Sequence, residues 1–414
     1  MKVKTYLFFV TEVGLAHIVR TLAVAEELQK RGNNVIFALP KRRWFVAKKS
    51  PVQLIDIEGY ATSESMEIIK VAKDLRRLRR LIKQELQIIK KYEPDALFVD
   101  TRITALFAGL ISKRKVFMFG GSDAVPGFSY FPKNILPGWL FTLLKPFIPT
   151  IIKSIQLSFL KHSFEITKDY GQPITHDEII QKPFYIIPEI EGYLSQSKTI
   201  VKHAYVNPPS WHGFKAEEPA WLNKIHPDKN TIYLTFGGTG FDGTKLVRLS
   251  QALTNEGFRV IVSTGNLVPV SAFPKINNLF VAKFLPGREV TSRVDLVVCH
   301  GGYGTVMEAI LASKPVISLP FNPDQVIHAN RISELGMGEC ITHINIRDLI
   351  YLATLDWEAF QVIATRVKYQ EVVMQTKKVF ENYNHYIKNI KKFNKQIHPV
   401  DGAVESASII ERLT

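Results

Sequence analysis

The sequence has little cysteine. Two residues of 414, Cys299 and Cys340, cannot form a disulfide framework, and a reducing cytosol is the natural setting for such a chain. A signal peptide is not the reading of its start: in MKVKTYLFFVTEVG the apolar run Tyr6–Val10 is too short for a signal core and reads as a buried first strand. An uninterrupted membrane-spanning run is also missing. The longest candidate, Ile135–Ile152, is broken by Pro137, Gly138, Lys145, Pro146 and Pro149, and a spanning helix must satisfy all of its backbone bonds. There is no Asp-x-Asp, no His/Cys cluster with metal-ligand spacing, and no repeat of about 20–50 residues. Negative charge is scarce. Against 53 Lys and Arg stand 38 Asp and Glu, leaving a net charge of +15, which fits anionic partners: nucleic acid, anionic lipid or phosphorylated substrates.

What is present is a soluble globular composition, 46% hydrophobic and 22% charged, on a chain too long for one ordinary core. The first third alternates strand and helix. TYLFFV reads as a strand, GLAHIVRTLAVAEELQKRG as a loop entering a helix with Ile18, Leu22 and Ala25 on one face, and NNVIFALP as the next strand. This βαβ unit implies parallel strands. DALFVD and KVFMFG continue the sheet. Residues 205–230, rich in Pro, Asn and charge, read as a linker, after which TIYLTF, FRVIVST, NLFVAKF and DLVVCH resume the alternation. The expectation is two tandem doubly wound α/β domains, 1–204 and 231–395, facing across a cleft, with 396–414 a final helix crossing back to the first domain.

Two segments stay open. Lys73, Arg76, Arg77, Arg79, Arg80 and Lys83 crowd one helix between leucines, as a solvated face or as an amphipathic helix on anionic headgroups. Nucleic acid is disfavoured because no recognised motif accompanies the charge. Residues 124–164 read as an apolar wall of an acceptor pocket or as a dip into the membrane interface.

The sharpest signal is CHGGYGTVMEAILASKPVISLPFNPDQ, Cys299–Gln325. A buried strand ends at His300, and Gly301, Gly302 and Gly304 follow at the strand's carboxyl end, where open α/β sheets bind ligands. Thr305 is expected to begin a helix whose free N–H groups attract anions. A second glycine loop, Phe236–Gly243, carries Gly237, Gly238 and Thr239 after the domain's first strand. Two such loops at one sheet edge suggest a single diphosphate touched from two sides. His300 could donate to a phosphate oxygen or be a packed structural histidine. Glu308, one turn into the helix, suits vicinal ribose hydroxyls or is a solvated surface glutamate. Asp324 and Gln325 suit sugar hydroxyls or cap the helix VIHANRISEL.

The order His300-Gly301-Gly302-Tyr303-Gly304-Thr305, Glu308, Pro315, Pro320, Asp324-Gln325, Asn330, Arg331 resembles the donor signature of the UDP-glycosyltransferase superfamily, whose fold is GT-B. FLPGREV resembles that family's uracil-contacting loop, with backbone at Phe284 and Leu285 reading the base; Pro286-Gly287 stands where Pro-Gln is usual. The family's amino-terminal loop resembles Gly-His-x-x-Pro, and Gly14-Leu15-Ala16-His17-Ile18 occupies its place without the proline.

The resemblance makes His17 the catalytic base. A helix amino terminus disfavours imidazolium, consistent with a proton acceptor there. Asp100, ending strand DALFVD, could orient the ring or merely cap the helix TRITALFAGL. The implied activity is inverting transfer of a hexose from a UDP-sugar to a hydroxyl of an apolar small molecule or lipid. Backbone donors and the helix dipole would stabilise the leaving diphosphate, with no metal or other cofactor. The implied location is cytoplasmic, peripheral on the inner membrane face if the acceptor is lipid. The alternative of the same architecture is a nucleotide-sugar 2-epimerase, against which the long apolar segment argues.

Overall fold

Strand and helix alternate to build a parallel sheet in each half of the chain. The computed structural model describes residues 2–60, 68–122, 125, 138–194, 201–211, 218–225, 230–237, 242–265, 267–343, 348, 366–397 and 399–414. The chain divides into two compact units. One comprises Met1–Tyr130, Lys145–Phe214 and His398–Thr414; the other comprises Phe131–Leu144 and Lys215–Ile397.

In the first unit β1 (Thr5–Val10), β2 (Asn34–Ala38), β3 (Gln53–Ile55), β4 (Ala96–Asp100), β5 (Lys115–Phe119), β6 (Phe184–Ile187) and β7 (His203–Tyr205) form one sheet in the order β3-β2-β1-β4-β5-β6-β7. Every pairing is parallel. Both faces of β1 are buried, with Tyr6, Phe8 and Val10 packed on one side and Leu7 and Phe9 on the other. This is why the strand reads as a continuous apolar run rather than an alternation. Phe8 stacks on Phe98 at 4.5 Å between centroids, locking β1 to β4. The short strands β3, β6 and β7 were not foreseen: QLI, FYII and HAY are too brief to carry a period.

The helix Gly402–Leu413 belongs to this first unit. Ala403, Ala407 and Ile410 enter its core, while Arg31 donates to Ser408 Oγ at 3.0 Å and Glu411 Oε2 at 3.0 Å. Asn207 Nδ2 donates to the Val400 carbonyl at 2.7 Å. Gly402 makes this approach feasible, since a Cβ there would stand 1.6 Å from the Asn207 carbonyl oxygen.

In the second unit β8 (Thr231–Thr235), β9 (Arg259–Ser263), β10 (Leu279–Ala282), β11 (Leu296–Cys299), β12 (Val316–Ser318) and β13 (Gly338–Cys340) run β10-β9-β8-β11-β12-β13, again all parallel. Both sheets reverse strand order beside their first strand, between β1 and β4 and between β8 and β11. In doubly wound sheets that switch point opens a crevice at the carboxyl edge.

The basic helix Leu75–Tyr92 buries Leu78, Leu81, Ile82 and Ile89. Much of its charge is engaged within the fold. Arg79 pairs with Asp169 at 2.9 Å, Arg80 with Glu58 at 2.6 Å, and Arg77 donates to the carbonyls of Gly59 and Tyr60. Of the apolar segment 124–164, residues 124 and 126–137 lie outside the described residues. Beyond them run the helices Gly138–Leu144 and Ile148–Lys168, parted at Lys145-Pro146-Phe147. Trp139, Leu143 and Phe147 are exposed by 70%, 61% and 60%, so the stretch is not core there, whereas Leu160 and Ile166 farther along the second helix join the core of the first unit. Among the described residues no helix is long and apolar enough to cross a membrane.

Candidate active site

At the switch point of the first sheet, Val10 ends β1 level with Asp100 at the end of β4. The chain leaves β1 through Gly14, whose φ of 80° puts it in the left-handed region, and enters the helix Leu15–Lys30. His17 therefore lies in the first helical turn. Its Nδ1 is 2.8 Å from Asp100 Oδ1. Asp100 is fully buried and caps no helix: Arg102 takes the N-cap position of the helix Ile103–Ile111, without a side-chain cap bond. That removes the capping role weighed for Asp100.

Arg20, one turn along from His17, donates to Asp100 Oδ2 through Nε at 2.7 Å and to Oδ1 through Nη2 at 2.7 Å. Thr101 Oγ1 donates to Oδ1 at 2.7 Å. Desolvation pushes the Asp100 carboxyl up, but the charges of Arg20 and His17 outweigh it and hold the group far below the usual carboxylate range. An ionised carboxylate offers no proton. A 2.8 Å contact with Nδ1 therefore calls for Nδ1–H as donor, which leaves the Nε2 lone pair free to take a proton. Sequence reasoning missed Arg20 and Thr101. Thr101 carries φ 55°, a strained setting for a β-branched residue, directly after the carboxylate. The i,i+3 spacing of His17 and Arg20 on one helix was the available signal for Arg20.

The loop bearing Asp100 is pinned from below. Arg102, fully buried, donates to Glu85 Oε1 at 2.6 Å and to the Glu58 carbonyl at 2.8 Å, and Thr104 Oγ1 donates to the same Glu85 oxygen at 2.7 Å. The Tyr60 ring lies 5.0 Å from the guanidinium. Desolvation pushes the Glu85 carboxyl up against the pull of Arg102.

The second unit's switch point gathers the glycine residues. Gly237 after β8 has φ 67°, and a Cβ there would stand 3.5 Å from His300 Cε1. Gly301 has φ 82° and lies against the Gln325 carbonyl oxygen, 3.0 Å from where a Cβ would be. Gly302 is tighter still: a Cβ would meet His300 Nε2 at 2.4 Å. His300 is thus held between the two loops and stacks on Phe321 at 5.7 Å. Among the described residues its buried Nδ1 has no hydrogen-bond partner. Desolvation lowers its pKa to about 4, against the pull of Asp324 and the Thr235 backbone, so it is a neutral imidazole near pH 7.

The helix expected to open at Thr305 begins two residues earlier and runs Tyr303–Leu311. Gly302 is its N-cap residue, so Gly304 and Thr305 both lie in its first turn, among the N–H groups without intrahelical partners. Gly304 has open space around it. Glu308 is solvent-accessible, yet desolvation by surrounding protein and the Glu289 carboxylate raise its pKa to about 7, with Arg288 opposing. It lies against Gly287, where a Cβ would stand 2.7 Å from Glu308 Oε2. A side chain at 287 would need the end of the Glu308 side chain to shift.

Leu285 is buried and Phe284 is partly exposed, with Lys283 Nζ 5.6 Å from the Phe284 ring. Asn322, not Asp324, caps the helix Pro323–Glu334, accepting from Gln325 N at 2.9 Å. Gln325 is buried, with Oε1 accepting from Phe321 N at 3.0 Å, whereas the Asp324 side chain is 49% exposed. Gly238 and Thr239 lie outside the described residues. Among the described residues no group of three or more His, Cys, Asp or Glu could hold a metal ion.

Residues 231–353 match the glycosyltransferase family 28 C-terminal domain. The chain is 25% identical over 357 residues to the PGL/p-HBAD biosynthesis glycosyltransferase Rv2958c of Mycobacterium tuberculosis (strain ATCC 25618 / H37Rv), covering 80% of this chain and 79% of the relative. The spinosyn forosaminyltransferase SpnP superposes with a TM-score of 0.72 at 13% identity, over 100% of this chain and 99% of that one. The spinosyn rhamnosyltransferase SpnG complexed with thymidine diphosphate gives a TM-score of 0.66 at 16% identity, over 99% of each. With two parallel α/β units of Rossmann order, each bearing its polar groups at the switch point, the chain is a glycosyltransferase enzyme with the GT-B fold, and these likenesses support a member of the UDP-glycosyltransferase superfamily.

Proposed function

We propose that the protein is an inverting glycosyltransferase that moves a hexose from a UDP-sugar to a hydroxyl of an apolar or lipid acceptor, with His17 as general base. The observation that carries this reading is the 2.8 Å contact of His17 Nδ1 with the buried Asp100 carboxylate, which leaves Nε2 as the proton acceptor. The acceptor oxygen gives its proton to Nε2 and attacks C1 of the sugar from the face opposite the nucleotide. Asp100 orients the ring and offsets the charge it acquires.

The donor reading assigns the diphosphate to Gly237, Gly238, Thr239, His300, Gly302, Gly304 and Thr305. The N–H groups of the Tyr303–Leu311 first turn and a neutral His300, its Nδ1 unpartnered among the described residues, can donate hydrogen bonds to a departing diphosphate. Glu308 would hold the ribose hydroxyls, the Phe284–Leu285 backbone the base, and Asp324 with Gln325 the sugar. Uridine is our choice of base; the neighbour complexed with thymidine diphosphate supports a nucleoside diphosphate more broadly. Departure without a metal ion belongs to the same proposal, and turnover undiminished by EDTA is its expected result. The exposed Trp139, Leu143 and Phe147 support an apolar or lipid acceptor handled at the cytoplasmic face of an anionic membrane.

The deciding experiment replaces His17 by Ala. Binding of uridine diphosphate, read by thermal shift, stays at the wild-type value, and kcat falls by about 100-fold or more. Wild-type turnover in that variant would remove His17 from the chemistry.

A further inference from the structure

Neither member of the Arg102–Glu85 pair is exposed, and Nε meets Oε1 at 2.6 Å. Taking two charges out of water costs about as much as their attraction returns. Such a pair therefore does little for stability that apolar side chains of the same volume could not do. This one is also incompletely satisfied: among the described residues neither Arg102 Nη1 nor Glu85 Oε2 has a hydrogen-bond partner. Its place in the core calls for another reason, and the neighbouring turn supplies one.

Arg102 is separated from Asp100 only by Thr101. At φ 55° Thr101 holds a conformation that a β-branched residue keeps only where its surroundings over-determine it. On one side of the turn, the Asp100 carbonyl accepts from Thr11 N at 3.1 Å, which ties it to the chain beyond β1. On the other side, Arg102 reaches two elements at once. Its Nε donates to Glu85 on the helix Leu75–Tyr92, and its Nη2 donates to the Glu58 carbonyl at 2.8 Å. A planar fork of donors fixes direction as well as distance. Glu85 Oε1 also anchors the start of the helix Ile103–Ile111, because Thr104 Oγ1 donates to it at 2.7 Å. Thr104 N in turn donates to the Tyr60 hydroxyl at 2.8 Å. Held from both sides, the turn presents Asp100 Oδ1 to His17 Nδ1 at 2.8 Å and sets Thr101 Oγ1 on the same oxygen at 2.7 Å.

We propose that Arg102 and Glu85 are positioning residues: the buried pair holds the Asp100–Thr101 turn in the conformation that aims the carboxylate at His17. This rests on the assignment of His17 and Asp100 as the reacting dyad. The effect is geometric, and no proton passes through the pair. Neither residue reaches solvent, so neither meets donor or acceptor, and the pair acts on kcat rather than on KM. A displacement of about 1 Å in a reacting group can cost about 100-fold in rate.

A crossed set of variants separates geometry from stability. Arg102→Met with Glu85→Leu replaces the pair by apolar side chains of similar volume, and the midpoint of urea unfolding stays close to the wild type. Hydrogen exchange of the peptide spanning Asp100–Ala105, followed by mass spectrometry, quickens by about tenfold. This readout needs neither donor nor acceptor. With UDP- or dTDP-glucose as donor and 4-methylumbelliferone as acceptor probe, kcat falls by about tenfold or more while both KM values hold. Leu81→Ala, a cavity on the same helix outside the network, does the reverse: the urea midpoint falls and kcat holds. Glu85→Gln keeps an oxygen for Arg102 and Thr104, so it loses less than about threefold in kcat although it leaves a guanidinium unpaired. If the double variant does not fold, Arg102→Lys carries the test. Its single ammonium cannot hold Glu85 and the Glu58 carbonyl in one plane, and exchange and kcat change in the same directions. Wild-type exchange at Asp100–Ala105, or a wild-type kcat, in the folded variant overturns the proposal. Full turnover in His17→Ala would instead overturn the base and leave the exchange result standing, so the two failures are distinguishable.

Discussion

At the scale of single residues, two groups of the second unit titrate in opposite senses. His300 is lowered from 6.5 to about 4, so the unfolded chain takes a proton first as the pH falls. The stability this neutral imidazole contributes is full above pH 6.5 and is lost as the pH drops toward 4. Glu308 is raised from 4.5 to about 7, so its contribution is full below pH 4.5 and is lost as the pH rises toward 7. Glu308 also yields a binding prediction. Ribose hydroxyls donate to a carboxylate, so uridine diphosphate binds more tightly to the wild type at pH 8 than at pH 6. Isothermal titration of Glu308→Gln, with the ligand's own ionisation common to both proteins, shows a smaller gain; an identical gain would remove Glu308 from the ligand's contacts. Much of this chemistry was legible in the sequence, because a histidine at a strand end and a glutamate one turn into the next helix are local features. Arg20 was not, because what matters is its grip on a carboxylate 80 positions away, which only the sheet's β1–β4 pairing creates. Neither was the buried Arg102–Glu85 pair: in sequence, Glu85 is one more polar residue on a charged helix.

At the scale of elements, runs such as TYLFFV, DALFVD and TIYLTF were legible as strands, since an unbroken apolar run of that length between polar residues has few other uses. The helix starts were less legible. The phosphate-site helix opens at Tyr303 rather than Thr305 because Gly302, with extended backbone, can serve as the cap, and Gly304 then sits inside the first turn. The helix Gly402–Leu413 offers the sharpest test at this scale. Gly402→Ala forces a methyl against the Asn207 carbonyl and lowers stability by about 3 kcal/mol. The midpoint of urea unfolding measures it, and a wild-type midpoint would mean that the close approach of helix and chain is absent in solution.

At the scale of the whole molecule, the positive charge has two destinations. Part is spent on ion pairs inside the first unit, as Arg79, Arg80 and Arg102 illustrate; the remainder faces solvent and favours anionic surfaces. If the acceptor is lipid, the protein sediments with vesicles of phosphatidylglycerol more than with phosphatidylcholine, added salt weakens the association, and Trp139→Ser with Leu143→Ser weakens it further. Equal sedimentation with the two vesicles would restrict the acceptor to soluble molecules. The placement of Gly402–Leu413 bears on how the protein is made. The first unit's core is incomplete without Ala403, Ala407 and Ile410, so on the ribosome that lobe must wait while 215–397 is translated, roughly 10–40 s at about 5–20 residues per second. During that interval it is a nascent chain with an uncovered apolar seam, open to chaperones, and the lobe begun first is finished last.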